Sequence, residues 1–550
     1  MRRVSDVSVA SWLDISALFA FVFRRERFRL GCMMVSFAGL LLQSCTSTNR
    51  EQDVDAFSKD HAEQMFEAAY SNVQARYIEA VGVDTLALAG FDGLHSIDPR
   101  LTVIADASSV SFYNGKRELE RLARPAPQDS SGWAALTAQV LDRSVASSST
   151  AGIASTEELY SALMNGIVDK LDRYSRYESA RDAGSQRAVR DGFGGVGVTI
   201  RATGEETRVM EVLPGSPAAD AGVEQDDVIT QADGHPLTGL LPEDVIERLR
   251  GPIGSIVVLD LLRGSSSTEN IRVAIRRAHI VPPSVVGKLR DGVAVLRIRG
   301  FNRYTASDFE EELEHLEDLA NGRLSGIVLD LRNNPGGLLD QAVEMADLLL
   351  DNGPMIFTRG RHPAANSAFT ADSHELAEGV PVVILINGYS ASASEMLAAA
   401  LQARGRAVLI GSTTHGKGSV QNLQRMPNGG ELLITWSRMY TPTGYVLDGL
   451  GVLPNICTSK DGMENQSAGL ALDPARLGRQ FRDWYRYDHV DIGLAETLRR
   501  ACPASMEAPE SDLTLALELL RNGAAYKSAL APSVKAFSHR TLQTPLQGRS

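Results

Sequence analysis

Between about residues 281 and 460 the chain alternates short, almost wholly apolar runs with longer amphipathic ones, and this alternation limits the fold more than any other feature. The runs at 293–298, 326–331, 381–386 and 407–410 are built mainly of Val, Ile and Leu, as in Val382-Val383-Ile384-Leu385-Ile386. A strand that is apolar on both sides of its pleat needs cover on both faces. The intervening segments 306–320, 338–350 and 394–403 space their apolar residues near the 3.6-residue period of a helix. Together these patterns predict an α/β core, 281–461, built on a sheet covered on both faces.

The remaining chain reads as further modules. At 550 residues it has length for three or four domains. Segment 46–191 reads as mostly helical. Within it, 77–99 and 158–175 echo each other weakly as amphipathic helices ending in polar turns, and Ser-, Pro- and Ala-rich stretches at 123–132 and 144–155 read as flexible connectors. Segment 192–280 is β-rich. It opens on Phe193-Gly194-Gly195-Val196-Gly197-Val198, continues with a strand at 208–213 and the turn Pro214-Gly215-Ser216-Pro217, and carries the hairpin signal Asp233-Gly234. A helix at 242–249 and a strand at 256–262 complete it. This order resembles a PDZ domain. The resemblance implies that Gly195, Val196, Gly197 and Val198 hold a peptide's C-terminal carboxylate, that the peptide adds as a strand to the sheet edge, and that Val245 and Leu249 wall an apolar groove. The tail 462–550 reads as helical, most clearly at 512–521. The architecture expected is a multidomain α/β protein: an α/β core with strand-helix alternation, an inserted PDZ-type module and helical N- and C-terminal regions.

A hydrophobic content of 43% with 22% charged residues describes an ordinary soluble chain, and a net charge of −13 argues against nucleic acid as the main partner. The first 45 residues differ. Arg24, Arg25, Arg27 and Arg29 precede an apolar run at 30–42, followed by Leu42-Gln43-Ser44-Cys45. A basic flank, a short apolar core and small residues at a cleavage point are the parts of an export signal, and the core is short for a membrane span. Cysteine after Leu-x-Ser resembles a bacterial lipoprotein signal, which implies a lipid on Cys45, membrane attachment and a periplasmic location. A plain signal peptide and an uncut anchor are the alternatives. With Cys32 removed and Cys45 lipidated, Cys457 and Cys502 remain as a candidate disulfide pair. No cysteine spacing suggests a metal site.

Chemistry concentrates in two segments. Ser390-Ala391-Ser392-Ala393-Ser394-Glu395 lies between an apolar strand and a helix, where a side chain is presented at the sheet's C-terminal edge and the helix N-terminus favours negative charge. A serine there is also a common helix cap. One strand later, Gly416-Lys417-Gly418-Ser419-Val420-Gln421 places a lysine between glycines. Burial would lower the lysine's affinity for its proton and make it a base for serine, with Gln421 orienting the amine. Residues 411–417 also approach a phosphate-binding loop. However, Gly418 stands where a Ser or Thr would meet magnesium, and a strand rather than a helix comes next. His415 as the base of a Ser-His-Asp set has poorer spacing than Lys417.

With Leu331-Arg332-Asn333-Asn334-Pro335-Gly336-Gly337 and Tyr440-Thr441-Pro442-Thr443-Gly444, these segments resemble the carboxyl-terminal processing peptidases, or tail-specific proteases, over roughly 155–460. Leu171-Asp172-Arg173-Tyr174-Ser175 looks like the family's N-terminal part. The resemblance implies Ser392 as nucleophile, Lys417 as general base, Gln421 as its orienting partner, and the backbone N–H groups of Ala393 and Gly336 as oxyanion donors. It also implies protein C-termini as substrates, an adaptor or activating partner as a candidate companion, and no cofactor or metal. His415 stands where the family usually has an apolar aromatic, and Asn455 where it often has Asp. The competing expectation is a non-catalytic PDZ adaptor on a degenerate protease fold.

Overall fold

Six strands pair side by side in chain order: Val285–Arg290, Val293–Ile298, Gly326–Asp330, Val382–Ile386, Ala407–Gly411 and Ile456–Cys457. The first is antiparallel to its neighbour and the other five are parallel. The computed structural model describes residues 57–264, 269–372, 375–459 and 473–538. The expected signal segment with Cys32 and Cys45, and the polar linker after it, lie outside the described residues.

Each residue of the three central strands is buried, which is why their sequences lack alternation. The helices Thr305–Leu319, Leu339–Asp347 and Ala393–Ala403 all pack on one face, against Ile327, Leu329, Ile384, Ile386 and Leu409. Handedness explains this. Crossovers between parallel strands are right-handed, and a strand order that never reverses puts every crossover on the same side. The second face, with Val328, Val383, Leu385, Val408 and Ile410, is covered instead by the tail, through Leu513, Ala516, Leu519, Tyr526 and Ala529. The Tyr526 hydroxyl donates to the carbonyl of Val382 at 3.0 Å and accepts from its N–H at 3.2 Å. Tail helices Glu510–Arg521 and Gly523–Ser538 are thus part of the sheet domain's own core.

A second, antiparallel sheet orders Ser367–Ala371, Gly353–Arg359, Glu431–Tyr440 and Ser419–Arg425, with Arg176–Glu178 pairing at the start of Glu431–Tyr440. The N-terminal region packs on it, sharing Met426, Leu432 and Ile434 in its core. That region is less helical than its sequence suggests, because Leu101–Ala105, Ser109–Asn114 and Arg117–Ala123 form a three-stranded meander. The expected connector at 144–155 is also helical. Ser144 bonds back to the carbonyl of Val140, Ser148 caps Ser149–Ile153, and Ser155 forms a capping box with Glu158 ahead of Thr156–Val168. A serine-rich stretch reads as loop because serine competes with the helical backbone, and here that competition is resolved as caps.

The PDZ-type module orders Glu269–Arg276, Ile256–Arg263, Val228–Ala232, Thr207–Val212 and Val198–Ala202, and the ribbon Phe193–Gly195 with Ala278–Ile280 closes its ends. Its helix is Pro242–Leu249.

Ending the chain before Pro509 should bare the second face of the parallel sheet. The truncated protein is expected to bind a hydrophobic dye and to aggregate or melt well below the full chain in a thermal scan.

Candidate active site

The strand Val382–Ile386 turns sharply at 387–392 into the helix Ala393–Ala403, every residue of which is buried. Ser392, at the bend, has φ +57° and ψ −115°, a backbone region that side-chain-bearing residues rarely occupy. The turn is laced from outside by the loop after Asp330. Asn334, fully buried, accepts Ala391 N–H and the Ser394 hydroxyl on its carbonyl, each at 3.0 Å, and donates its amide to Ile298. The Ser390 hydroxyl donates to Leu331 O at 2.8 Å, and Asn333 and Asn387 exchange hydrogen bonds at 3.0 and 2.7 Å. Gly336, at φ +99°, lies flat against the bend. A Cβ there would sit 2.7 Å from Ala391 O and 2.8 Å from Ser392 Cβ, so only glycine fits. Of the three serines, Ser390 and Ser394 are buried and bonded to this loop, while Ser392 alone stays partly exposed.

The lysine segment is fastened to that turn by Glu395. Its buried carboxylate accepts from Ser392 N–H (2.8 Å) and Lys417 N–H (2.9 Å) on Oε2, and from Gly416 N–H (2.6 Å) and the Thr414 hydroxyl on Oε1. Ser392 and Lys417 are therefore bonded to one oxygen atom. The Lys417 amine lies 5.5 Å from the centroid of the Tyr174 ring, whose hydroxyl donates to Gly416 O at 3.3 Å. Burial, then the charge of Arg176, lowers the lysine's pKa, while Glu395 and Asp172 act the other way. Gln421 lies in the strand beyond. Its Nε2 donates to Thr435 Oγ1 (2.6 Å), which donates to Asp172 (3.0 Å), and its buried Oε1 has no partner among the described residues.

The expected oxyanion donors differ. No hydrogen bond from Ala393 N–H occurs among the described residues, and a Gly336 Cβ would lie 3.0 Å from that nitrogen. Gly336 N–H is itself donated to Asn334 Oδ1 at 2.9 Å. His415 is exposed, and its pKa is lowered by partial burial and by Arg173, Arg499 and Lys417. Asn455 accepts from Gln402 and from Leu409 N–H, and its Nδ2 donates to Ala529 O at 3.0 Å. An aspartate would lack that donor to the tail. In the PDZ-type module, Val196, Val245 and Leu249 are buried together in its core, and Gly195 pairs with Ala278. Gly197 O accepts from the Ser216 hydroxyl, and Val198 begins an edge strand, Val198–Ala202, which among the described residues pairs only with Thr207–Val212. Cys457 and Cys502 are joined as a disulfide, with Cα atoms 5.8 Å apart.

Sequence reasoning left three participants without roles: Glu395, Tyr174 and, from the tail, Arg499, which donates to Thr414 O at 2.8 Å and Leu450 O at 2.6 Å. The first two had a signal, since Glu395 closes the serine run and Tyr174 lies within Leu171–Ser175. Arg499 had none.

Stability should separate the serines. Ser390→Ala removes the acceptor of the buried Asn387 N–H (3.0 Å) and should cost about 1–3 kcal/mol in chemical denaturation, whereas Ser394→Ala leaves Asn334 O its bond from Ala391 N–H and should cost less, about 0.5–1.5 kcal/mol. Ser392→Gly should stabilise relative to Ser392→Ala by about 1 kcal/mol, because glycine relieves the positive φ.

Residues 292–458 match the model of peptidase family S41, and residues 208–263 match a PDZ domain. A carboxy-terminal-processing protease of Bartonella bacilliformis is 35% identical over 303 residues, covering 54% of this chain and 69% of that protein. A probable CtpA-like serine protease of Staphylococcus aureus is 34% identical over 305 residues, covering 55% of this chain and 60% of that relative's length. Among solved structures, a photosystem II D1 C-terminal processing protease aligns over 73% of this chain and 93% of its own at 22% identity, with a TM-score of 0.37. With the Bartonella protease matched over more than two thirds of its length, the chain belongs to the carboxy-terminal-processing serine proteases of peptidase family S41.

Proposed function

We propose that this protein is an exported serine endopeptidase that selects proteins by their C-terminal tails and cleaves them with a Ser392–Lys417 pair. The observation that carries the reading is the shared Glu395 oxygen, which ties the one partly exposed serine of the run to a lysine with a depressed pKa.

Each residue then has a task. Neutral Lys417 takes the proton of Ser392 as Oγ attacks the scissile carbonyl, and returns it to the leaving amine; water, deprotonated by the same amine, releases the acyl group. Ala393 N–H, at the helix N-terminus, faces the developing oxyanion, and Gly336 N–H joins it on leaving Asn334 Oδ1. Gln421 Oε1 is an acceptor for the protonated amine. The unpaired edge of Val198–Ala202 suits an added peptide strand. Tail binding there could gate the centre, since the PDZ-type module precedes it in the chain. An oxidising compartment is supported by the Cys457–Cys502 disulfide, and membrane attachment by the lipoprotein-like Cys45.

In assays with a peptide bearing an apolar C-terminus, Ser392→Ala and Lys417→Ala should each lower kcat/KM by at least about 10⁴-fold. Lys417→Arg should not rescue, because guanidinium keeps its proton. Binding without cleavage by the unmodified protein, across pH and with any activating partner added, would instead favour a PDZ adaptor.

Activity should rise with pH through the lysine's depressed pKa. Stability should track the same residue. Between the folded and the higher unfolded pKa only the unfolded chain holds the proton, so stability climbs with pH across that window. Lys417→Met should therefore stabilise the protein more at about pH 7 than at about pH 10, and equal gains at both would contradict a buried, easily deprotonated amine.

A further inference from the structure

Glu395 is a buried carboxylate beside a base that must lose its charge to work. Four donors converge on its two oxygens, so only the ionised form satisfies them all; a proton on either oxygen would face an N–H group. The Thr414 oxygen also accepts from Val452 N–H at 2.8 Å, which fixes the hydroxyl beside Glu395 Oε1. Ionisation in a dry site needs a positive charge nearby. The charged and titratable groups that face Glu395 are Lys417 from its loop, Arg499 from the tail, and the phenols of Tyr174 and Tyr445. The phenols carry no charge at neutral pH. Around Lys417 itself, Glu395 and Asp172 strengthen the hold on the proton, while burial and the charge of Arg176 weaken it.

The geometry assigns the missing charge to the tail: we propose that Arg499, outside the family-matched residues 292–458, is a positioning residue that supplies a permanent cation to the Glu395 clasp and so frees Lys417 to act as a neutral base. This rests on the reading of Lys417 as the base. Arg499 ends the helix Ile492–Arg499 and grips the lysine loop through Thr414 O and the segment packed beside it through Leu450 O. The next few residues of the tail fix it in place. Cys502 is bonded to Cys457 and its carbonyl accepts from the Thr413 hydroxyl, while Ser505 O accepts from Gly388 N–H at 2.7 Å. The same strap thus touches the turns ahead of Ser392 and of Lys417. Burial opposes ionisation of Glu395 and outweighs the four hydrogen bonds that favour it, so its pKa is raised. Removing the cation leaves Lys417 as the charge that Glu395 draws on, and so strengthens the lysine's hold on its proton.

The test compares Arg499→Met, Arg499→Gln and Arg499→Lys in the full chain, with kcat and KM followed from about pH 6 to about pH 9 and folding checked by circular dichroism. Without the charge, the acidic limb of kcat should move up by about 1 pH unit. Activity at about pH 6 should then fall about 10-fold, recover toward about pH 9 and leave KM within about 2-fold. Arg499→Lys should keep the limb of the unmodified enzyme. A loss that is equal at every pH and shared by the lysine variant would mean a simple brace and overturn the proposal, as would profiles identical to the unmodified enzyme. If Arg499→Met does not fold, Arg499→Gln against Arg499→Lys reads the same contrast, since both keep a donor and only one keeps the charge. Cleavage surviving in Ser392→Ala would instead sink the underlying reading, whatever the Arg499 profiles show.

Discussion

One buried carboxylate organises the reactive end of this molecule. Glu395 joins the turn of Ser392 to the loop of Lys417 through backbone amides, so the relative position of the two segments does not depend on contact between their side chains. A clasp of this kind suits catalysis. Backbone atoms move less than the ends of long side chains, so the spacing of the two segments is held whatever the lysine stem does. The drawback is a charge held away from water, which makes the site sensitive to every cation around it.

The second organising constraint is topological. A strand order that runs with the chain leaves one face of the parallel sheet without helices, and the tail supplies them. The chain that covers that face also reaches the site through Arg499, Cys502 and Ser505. The N-terminal region makes a comparable contribution from the opposite direction in sequence. Tyr174 braces the lysine, and Asp172 ends the chain of hydrogen bonds from Gln421. The reactive centre is thus assembled from three separate stretches, of which the family model spans only the middle one.

Much of this was legible in the residues. The apolar runs announced the central strands, and the helix Pro242–Leu249 was readable to its ends from Pro at its start and the Arg250-Gly251-Pro252 stop. The serine and lysine segments stood out because reactive residues sat among small ones. The meander at Leu101–Ala123 was missed, since short strands in a helical setting have no long periodicity to reveal them. The serine-rich stretch at 144–155 misled, because hydroxyls that cap helices look the same in sequence as hydroxyls that break them.

The sequence by itself settled which segments bury on both faces, where a serine meets a helix start and where a lysine sits among glycines, because these are properties of neighbours along the chain. Only the tertiary structure decided which serine remained open, which carboxylate clasps the two segments and that the tail completes the sheet. Those answers depend on partners 60 residues away for Ser394 and 85 for Arg499. Local periodicity reports the face a residue shows, and the topology of the sheet alone selects what that face meets.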